Sequence, residues 1–91
     1  MKLRIDKQNT TKDNMKIPKG YRLLEDWEAC KEQRTNKELG KLIVNDWIWV
    51  NTSKGIRAAG LLYYDDVFHV GGLNDLDYNG RSRGVFVKVT Q

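Results

Sequence analysis

Hydrophobic positions are densest from Asp46 to Tyr64, in the stretch DWIWVNTSKGIRAAGLLYY. Trp47-Ile48-Trp49-Val50 is a run of aromatic and β-branched residues, Thr52-Ser53-Lys54-Gly55 is a turn cluster, and Ile56 to Tyr64 is a second extended run. The pattern predicts a β-hairpin. Alternation puts Trp47 and Trp49 on one face of the first strand and Ile48 and Val50 on the other. With both faces apolar, that strand is expected in the middle of a sheet. Ala58, Ala59 and Gly60 are small, which leaves room for a bulky neighbour such as a tryptophan to lie on the second strand's backbone.

Helical periodicity is clearest from Glu25 to about Arg34. Leu23 or Leu24, Trp27, Cys30 and Arg34 recur at three- and four-residue spacing, so Trp27 and Cys30 are expected to pack into the core. Glu25, Asp26 and Glu28 open this segment and Lys31 and Arg34 close it, an order that suits the helix dipole. Downstream, Val67 to Val70 reads as a strand ended by Gly71-Gly72, Leu73 to Gly84 as a polar loop, and Val85 to Val89 as a closing strand. Upstream, Lys2-Leu3-Arg4-Ile5 alternates like an edge strand, able to pair with a second chain, and Gln8 to Asn14 reads as a loop. Ile17-Pro18-Lys19-Gly20 marks the start of the body. The expectation is a basic N-terminal arm over residues 1–16, then a single α+β domain over residues 17–91. Its main helix packs on a twisted, mostly antiparallel sheet.

Length and charge sharpen this picture. Ninety-one residues suit one domain with a modest core. Seven of the nine aromatic residues lie between Trp47 and Phe86, which places most of that core in the C-terminal half. The net charge is +4, and residues 1–20 carry all of it, with six basic and two acidic residues. Residues 21–91 hold ten of each sign. A neutral body argues against a folded nucleic-acid groove, leaving Lys2, Arg4, Lys7 and Lys12 of a solvated arm as the contacts through which nucleic acid would be touched. The single cysteine, Cys30, excludes an internal disulfide. No apolar run has transmembrane length and the start lacks a signal-peptide core, so the expected location is cytoplasmic or virion-associated, without membrane contact.

Candidate chemistry is sparse. Asp75-x-Asp77-x-Asn79-Gly80 copies the opening of a calcium loop, with oxygen ligands at alternate positions before a turn glycine. Phe86 stands where that loop needs its bidentate glutamate, and an Asx-rich turn explains the same residues. His69, the only histidine, sits inside an apolar strand, and neither Ser53 nor Ser82 has a neighbour that would activate it. No cofactor and no catalytic residue is expected. Surface recognition is better supported. Tyr63, Tyr64 and Tyr78 accompany Asp65, Asp66, Asn74, Asn79, Arg81 and Arg83, the mixture of aromatic, arginine and Asx residues common on recognition surfaces.

One further pattern extends along the chain. Gly20-Tyr21-Arg22-Leu23 followed by Asp26-Trp27-Glu28 resembles the "GYRLPT..EWE" opening of small C-type-lectin-like domains. These are the group related to formylglycine-generating enzymes and the Fibrobacter succinogenes major paralogous domain, found in bacterial surface and phage proteins. Trp47 to Asn51, Gly55 to Tyr64 and Gly80 to Val89 stand where that group has its tryptophan strand, its hairpin and its closing strand, so the resemblance spans residues 17–89. Leu24-Glu25 replaces the Pro-Thr that caps the family's helix, and Cys30 alone lacks the cysteine pair of the enzymes. The resemblance implies a rigid scaffold displaying loops, as in diversified phage receptor-binding proteins. It points to a non-catalytic binding module of phage or prophage type for a protein or saccharide ligand. Two alternatives stay open: a small intracellular regulator docking on a host protein, and a nucleic-acid accessory protein using the basic arm.

Overall fold

The computed structural model describes residues 2–35, 39, 47–64, 67–73 and 80–89, with side chains described for residues 2–29, 31–32, 39, 47–60 and 80–89. Its organising strand is the last one. Strand β6 (Arg81–Lys88) pairs antiparallel with β1 (Leu3–Thr11) along one edge. Val87 pairs with both Leu3 and Arg22, so β2 (Tyr21–Leu23) runs antiparallel along the opposite edge. There β6 also meets β3 (Trp47–Thr52) in parallel, at Ile48 and Arg83. The sheet continues through β4 (Gly55–Tyr64) to β5 (Val67–Leu73), in the order β1-β6-β3-β4-β5. Among the described residues this is a mostly antiparallel, mixed six-stranded sheet with one short helix, α1 (Asp26–Thr35). The expected α+β class holds at that level.

Both faces of the sheet are covered. Val85 and Val87 pack with Ile48, Val50 and Ala59 on one face, beneath Leu24, Ala29 of α1 and Leu39. Phe86, one position out of phase, packs on the other face with Trp49, Ala58 and Leu23, and Met15, Tyr21 and Ile56 close over them. The helix therefore covers one face, and the connection between β1 and β2 crosses the other. Period-two alternation of large apolar residues on both faces is what makes β3 and β6 internal strands, as the sequence pattern predicts for β3.

The hairpin between β3 and β4 turns through Ser53-Lys54. Thr52 Oγ1 accepts the Lys54 N–H at 3.2 Å and donates to the Gly55 carbonyl at 2.7 Å, and Gly55 takes φ 126°, open to glycine alone at no cost. Trp47 sits directly opposite Gly60, and a β-carbon there would lie 3.0 Å from the indole ring. This is the close approach the small residues of β4 imply. Strand β5 is longer than its sequence suggests. Leu61 pairs with Val70 and Gly60 with Gly72, so Gly71 is an extra residue that bulges, and the strand continues to Leu73 through the two glycines expected to end it.

Helix α1 departs from the predicted stripe. Glu28, Ala29 and Glu32 are buried, whereas Trp27 is 66 % exposed. The cause is ionic. Arg22 of β2 grips Glu28 through both carboxylate oxygens, Nη1 to Oε1 at 2.6 Å and Nη2 to Oε2 at 2.9 Å, and this draws the Glu28 side of the helix inward. Ala29 is small enough to let the helix backbone approach the sheet. Glu28 also accepts the Glu25 N–H at 3.0 Å, and Asp26 Oδ1 accepts the Trp27 N–H at 2.8 Å. These two carboxylates satisfy the helix's first free donors in place of the Pro-Thr cap that the sequence lacks. Cys30 lies within α1, and its side chain falls outside the described residues.

Candidate functional site

The N-terminal stretch expected as a solvated arm with a loop from Gln8 is a strand as far as Thr11. Its polarity hides this. Only Leu3 and Ile5 are apolar, and they pack against the core on the helix-covered face. Beyond them the strand is held by its backbone. The Trp49 indole donates Nε1–H to the Thr10 carbonyl at 3.0 Å, and the pairs Asn9–Arg83, Thr10–Ser82 and Thr11–Arg81 complete the ladder.

Between Ile5 and Asn9 the register slips. Ile5 pairs with Val85 and Asn9 with Arg83, so Asp6-Lys7-Gln8 stand opposite Gly84 alone. Two extra residues must bulge, and Gly84 makes the room: a β-carbon there would collide with the Asp6 carboxylate and the Phe86 ring. Arg83 fastens the bulge by donating Nη1–H to the Asp6 carbonyl at 3.0 Å. From Thr11 the chain turns, with the Asn14 and Met15 N–H groups both donating to the Thr11 carbonyl, and then crosses the sheet.

The bulged strand and the crossing connection border an open groove of ≈ 530 Å³. Arg4, Asp6, Lys7, Gln8 and Thr10 line it from the strand, and Asn14, Lys16 and Pro18 from the connection. Cations thus stand on both sides: Arg4 and Lys7 on one, Lys16 on the other. Lys7 and Lys16 are exposed and form no ion pair among the described residues. Asp6, Gln8 and Asn14 add hydrogen-bonding capacity of both kinds. Beside the groove the buried hydroxyls of Thr10 and Ser82, on directly paired residues, have no hydrogen-bond partner among the described residues. At one end the Arg4 guanidinium lies over the Tyr21 ring, 6.0 Å from its centroid. Tyr21 in turn lines a second hollow of ≈ 310 Å³ with Ile17, Arg22, Leu23, Glu25, Asn51 and Ile56.

The residues singled out from sequence divide into three groups. Arg81 is exposed in β6 and Arg83 is half-buried on the β1 bulge, so both belong to a strand rather than to the expected loop. Tyr63 and Tyr64 end β4, paired with Phe68 and Val67, and His69 lies in β5 opposite Leu62. Asp65, Asp66, Asn74, Tyr78 and Asn79, and with them the candidate calcium ligands Asp75 and Asp77, lie outside the described residues. Of the basic residues assigned to the arm, Arg4 and Lys7 line the groove, Lys2 is exposed beyond it, and Lys12 reaches away to the Ile56 carbonyl at 3.5 Å. Asp6, Gln8, Asn14 and Lys16 were not singled out by sequence. The charge excess of residues 1–20 is the one signal in the sequence that points to them.

Among the described residues no group of three or more His, Cys, Asp or Glu is placed to hold a metal ion, and no helix is long and apolar enough to cross a membrane. The fold and groove define a small mixed-sheet α+β domain with a basic face. No family model, curated protein or solved structure matches the chain.

Proposed function

We propose that this chain is a non-catalytic binding module that recognises an anionic partner through the groove between β1 and the connection crossing the sheet. The single observation behind this reading is the placement of the charge excess. The arm that carries all of the net charge is part of the sheet, so its cations are held on a folded surface with Arg4, Lys7 and Lys16 converging on one groove. Ordered cations lose less entropy on binding than cations on a tail. The reading keeps the compact C-type-lectin-like scaffold as its finer description of the fold, supported by a closing strand that ties the N-terminal strand to the tryptophan hairpin. It changes which surface is used.

The test is retention of the full chain on a heparin matrix, eluted with salt. Lys7→Glu with Lys16→Glu is expected to elute far earlier than Lys2→Glu with Lys19→Glu, which changes net charge equally but outside the groove. Equal elution of the two double variants would show that net charge alone is being read.

A second reading has its own observation. Trp27, in the first turn of α1, is 66 % exposed. Tryptophan is the residue type most enriched at interface hot spots, which suits a regulator docking on another protein. Loss of a co-purifying protein on Trp27→Ala, with the groove charges intact, would favour it.

A further inference from the structure

Resting on the anionic-partner reading, we propose that the groove's ligand is single-stranded nucleic acid, with the phosphodiester chain between Lys7 and Lys16 and a base stacked on the Arg4 guanidinium. Three features select this class. First, the cations come from two chain segments, the strand and the crossing connection, that border one open groove. An extended single strand can lie along such a groove, whereas a duplex presents its phosphates on the outside of a wide cylinder.

Second, the groove is not purely cationic. Asp6 lines it from the same strand as Arg4 and Lys7, and Gln8 and Asn14 line it too. A ligand that only accepts hydrogen bonds would leave Asp6 facing its own charge. A nucleotide strand alternates phosphate acceptors with N–H donors on its bases, the N3–H of thymine among them, which Asp6, Gln8 and Asn14 can pair. An acidic peptide's side chains offer carboxylates alone.

Third, a stacking element stands at the end of the row of cations. Arg4 is exposed, and its guanidinium is backed by Tyr21. Guanidinium planes and aromatic rings are the surfaces on which proteins stack unpaired bases. The Tyr21 hollow is lined by Ile17, Leu23 and Ile56 together with Arg22, Glu25 and Asn51, so an apolar patch for the next base lies beside polar groups, the Asn51 amide being already bonded to Glu25.

The experiment uses the full chain and fluorescence anisotropy with four labelled probes. They are an oligothymidylate of about a dozen nucleotides, the same sugar-phosphate chain without bases, a duplex of equal length, and polyglutamate. The expected order is oligothymidylate tightest, by about tenfold over the base-free chain. Its log affinity should fall with log salt at a slope of about −1.4, as the two phosphate contacts of Lys7 and Lys16 on a single strand require. Arg4→Lys keeps the charge and removes the stacking plane. It should lower oligothymidylate affinity about tenfold and affinity for the base-free chain much less. Lys7→Glu with Lys16→Glu should abolish binding of every probe, with an unchanged melting curve as the folding control.

Equal affinity for the oligothymidylate and the base-free chain, unmoved by Arg4→Lys, would overturn the nucleic-acid inference and leave the anionic groove standing. Preference for polyglutamate would make the occupant an acidic protein. Tighter binding of the duplex would overturn the single-strand assignment. Failure of all four probes and of heparin at low salt would overturn both the inference and the reading on which it rests.

Discussion

Gly84 lies directly beneath the carboxylate of Asp6, so that a β-carbon at residue 84 would occupy space now held by the carboxylate and by the edge of the Phe86 ring. The two residues belong to different ends of the chain, and their contact is what admits two extra residues into β1. The bulge turns Asp6, Lys7 and Gln8 to the groove, which makes a glycine on a neighbouring strand a determinant of the site.

Gly84→Ala should therefore destabilise the protein by about 1–3 kcal/mol, the usual range for overpacking a filled interior. The Phe86 ring is fully buried and has nowhere to move. Asp6→Ala removes one of the two obstacles, so the double variant should regain part of the loss. Urea unfolding of the two singles and the double gives the coupling directly. Additive effects would show that the carboxylate is not what Gly84 accommodates.

Gly60→Ala should be milder although its neighbour is equally bulky. A β-carbon would meet Trp47 at 3.0 Å, but Trp47 is 40 % exposed and its indole can tilt toward solvent. The expected cost is below about 1 kcal/mol, with a shift in tryptophan fluorescence reporting the tilt. A loss as large as that at Gly84 would mean that the indole is fixed in place.

The ion pair under α1 should give the protein an acid-sensitive step. The hydrogen bond from Arg22 holds the Glu28 carboxyl below the usual carboxylate range, against the opposing effect of burial and with help from the Glu25 N–H. A carboxyl whose folded pKa is depressed contributes stability above its unfolded value, about 4.3, and that contribution disappears as pH falls through the lower folded value. Arg22 stays charged throughout, so there is no matching alkaline step. Glu28→Gln should cost about 1–2 kcal/mol near neutral pH, the modest end for a charged hydrogen bond because Arg22 is 43 % exposed. The gap to the parent should close as pH falls below about 4. Melting temperatures of the two proteins across that range test it, and a gap independent of pH would exclude Glu28 as the source.

Deleting residues 2–11 should abolish cooperative folding. The deletion removes the partner of β6 along one edge, the Leu3 and Ile5 side chains from the core, and the carbonyl that accepts the buried Trp49 indole N–H. A tail would be dispensable. Circular dichroism melting of the truncated chain decides between the two, and an unchanged melting temperature would restore the tail.

The hairpin, the identity of β3 as an inner strand, the helix and the closing strand were legible in the sequence. Each rests on a local rule: alternation of Trp47 to Val50, a turn at Ser53-Lys54, the acidic first turn of the helix at Asp26 and Glu28, alternation of Val85 to Val87. The small residues of β4 even announced the indole that lies on Gly60.

What local pattern determined, then, was the existence and type of elements that bury large side chains, because burial leaves a periodic mark on the chain. What only the tertiary structure decided depends on partners distant in sequence. Polar residues 6–11 form a strand because β6 supplies hydrogen bonds and Gly84 supplies space, 70 or more positions away. Glu28 enters the interior and Trp27 leaves it because Arg22 stands on the adjacent strand. The basic groove follows from the first of these. The charge was written in the first twenty residues, but its confinement to one folded surface came from the pairing of the chain's first strand with its last.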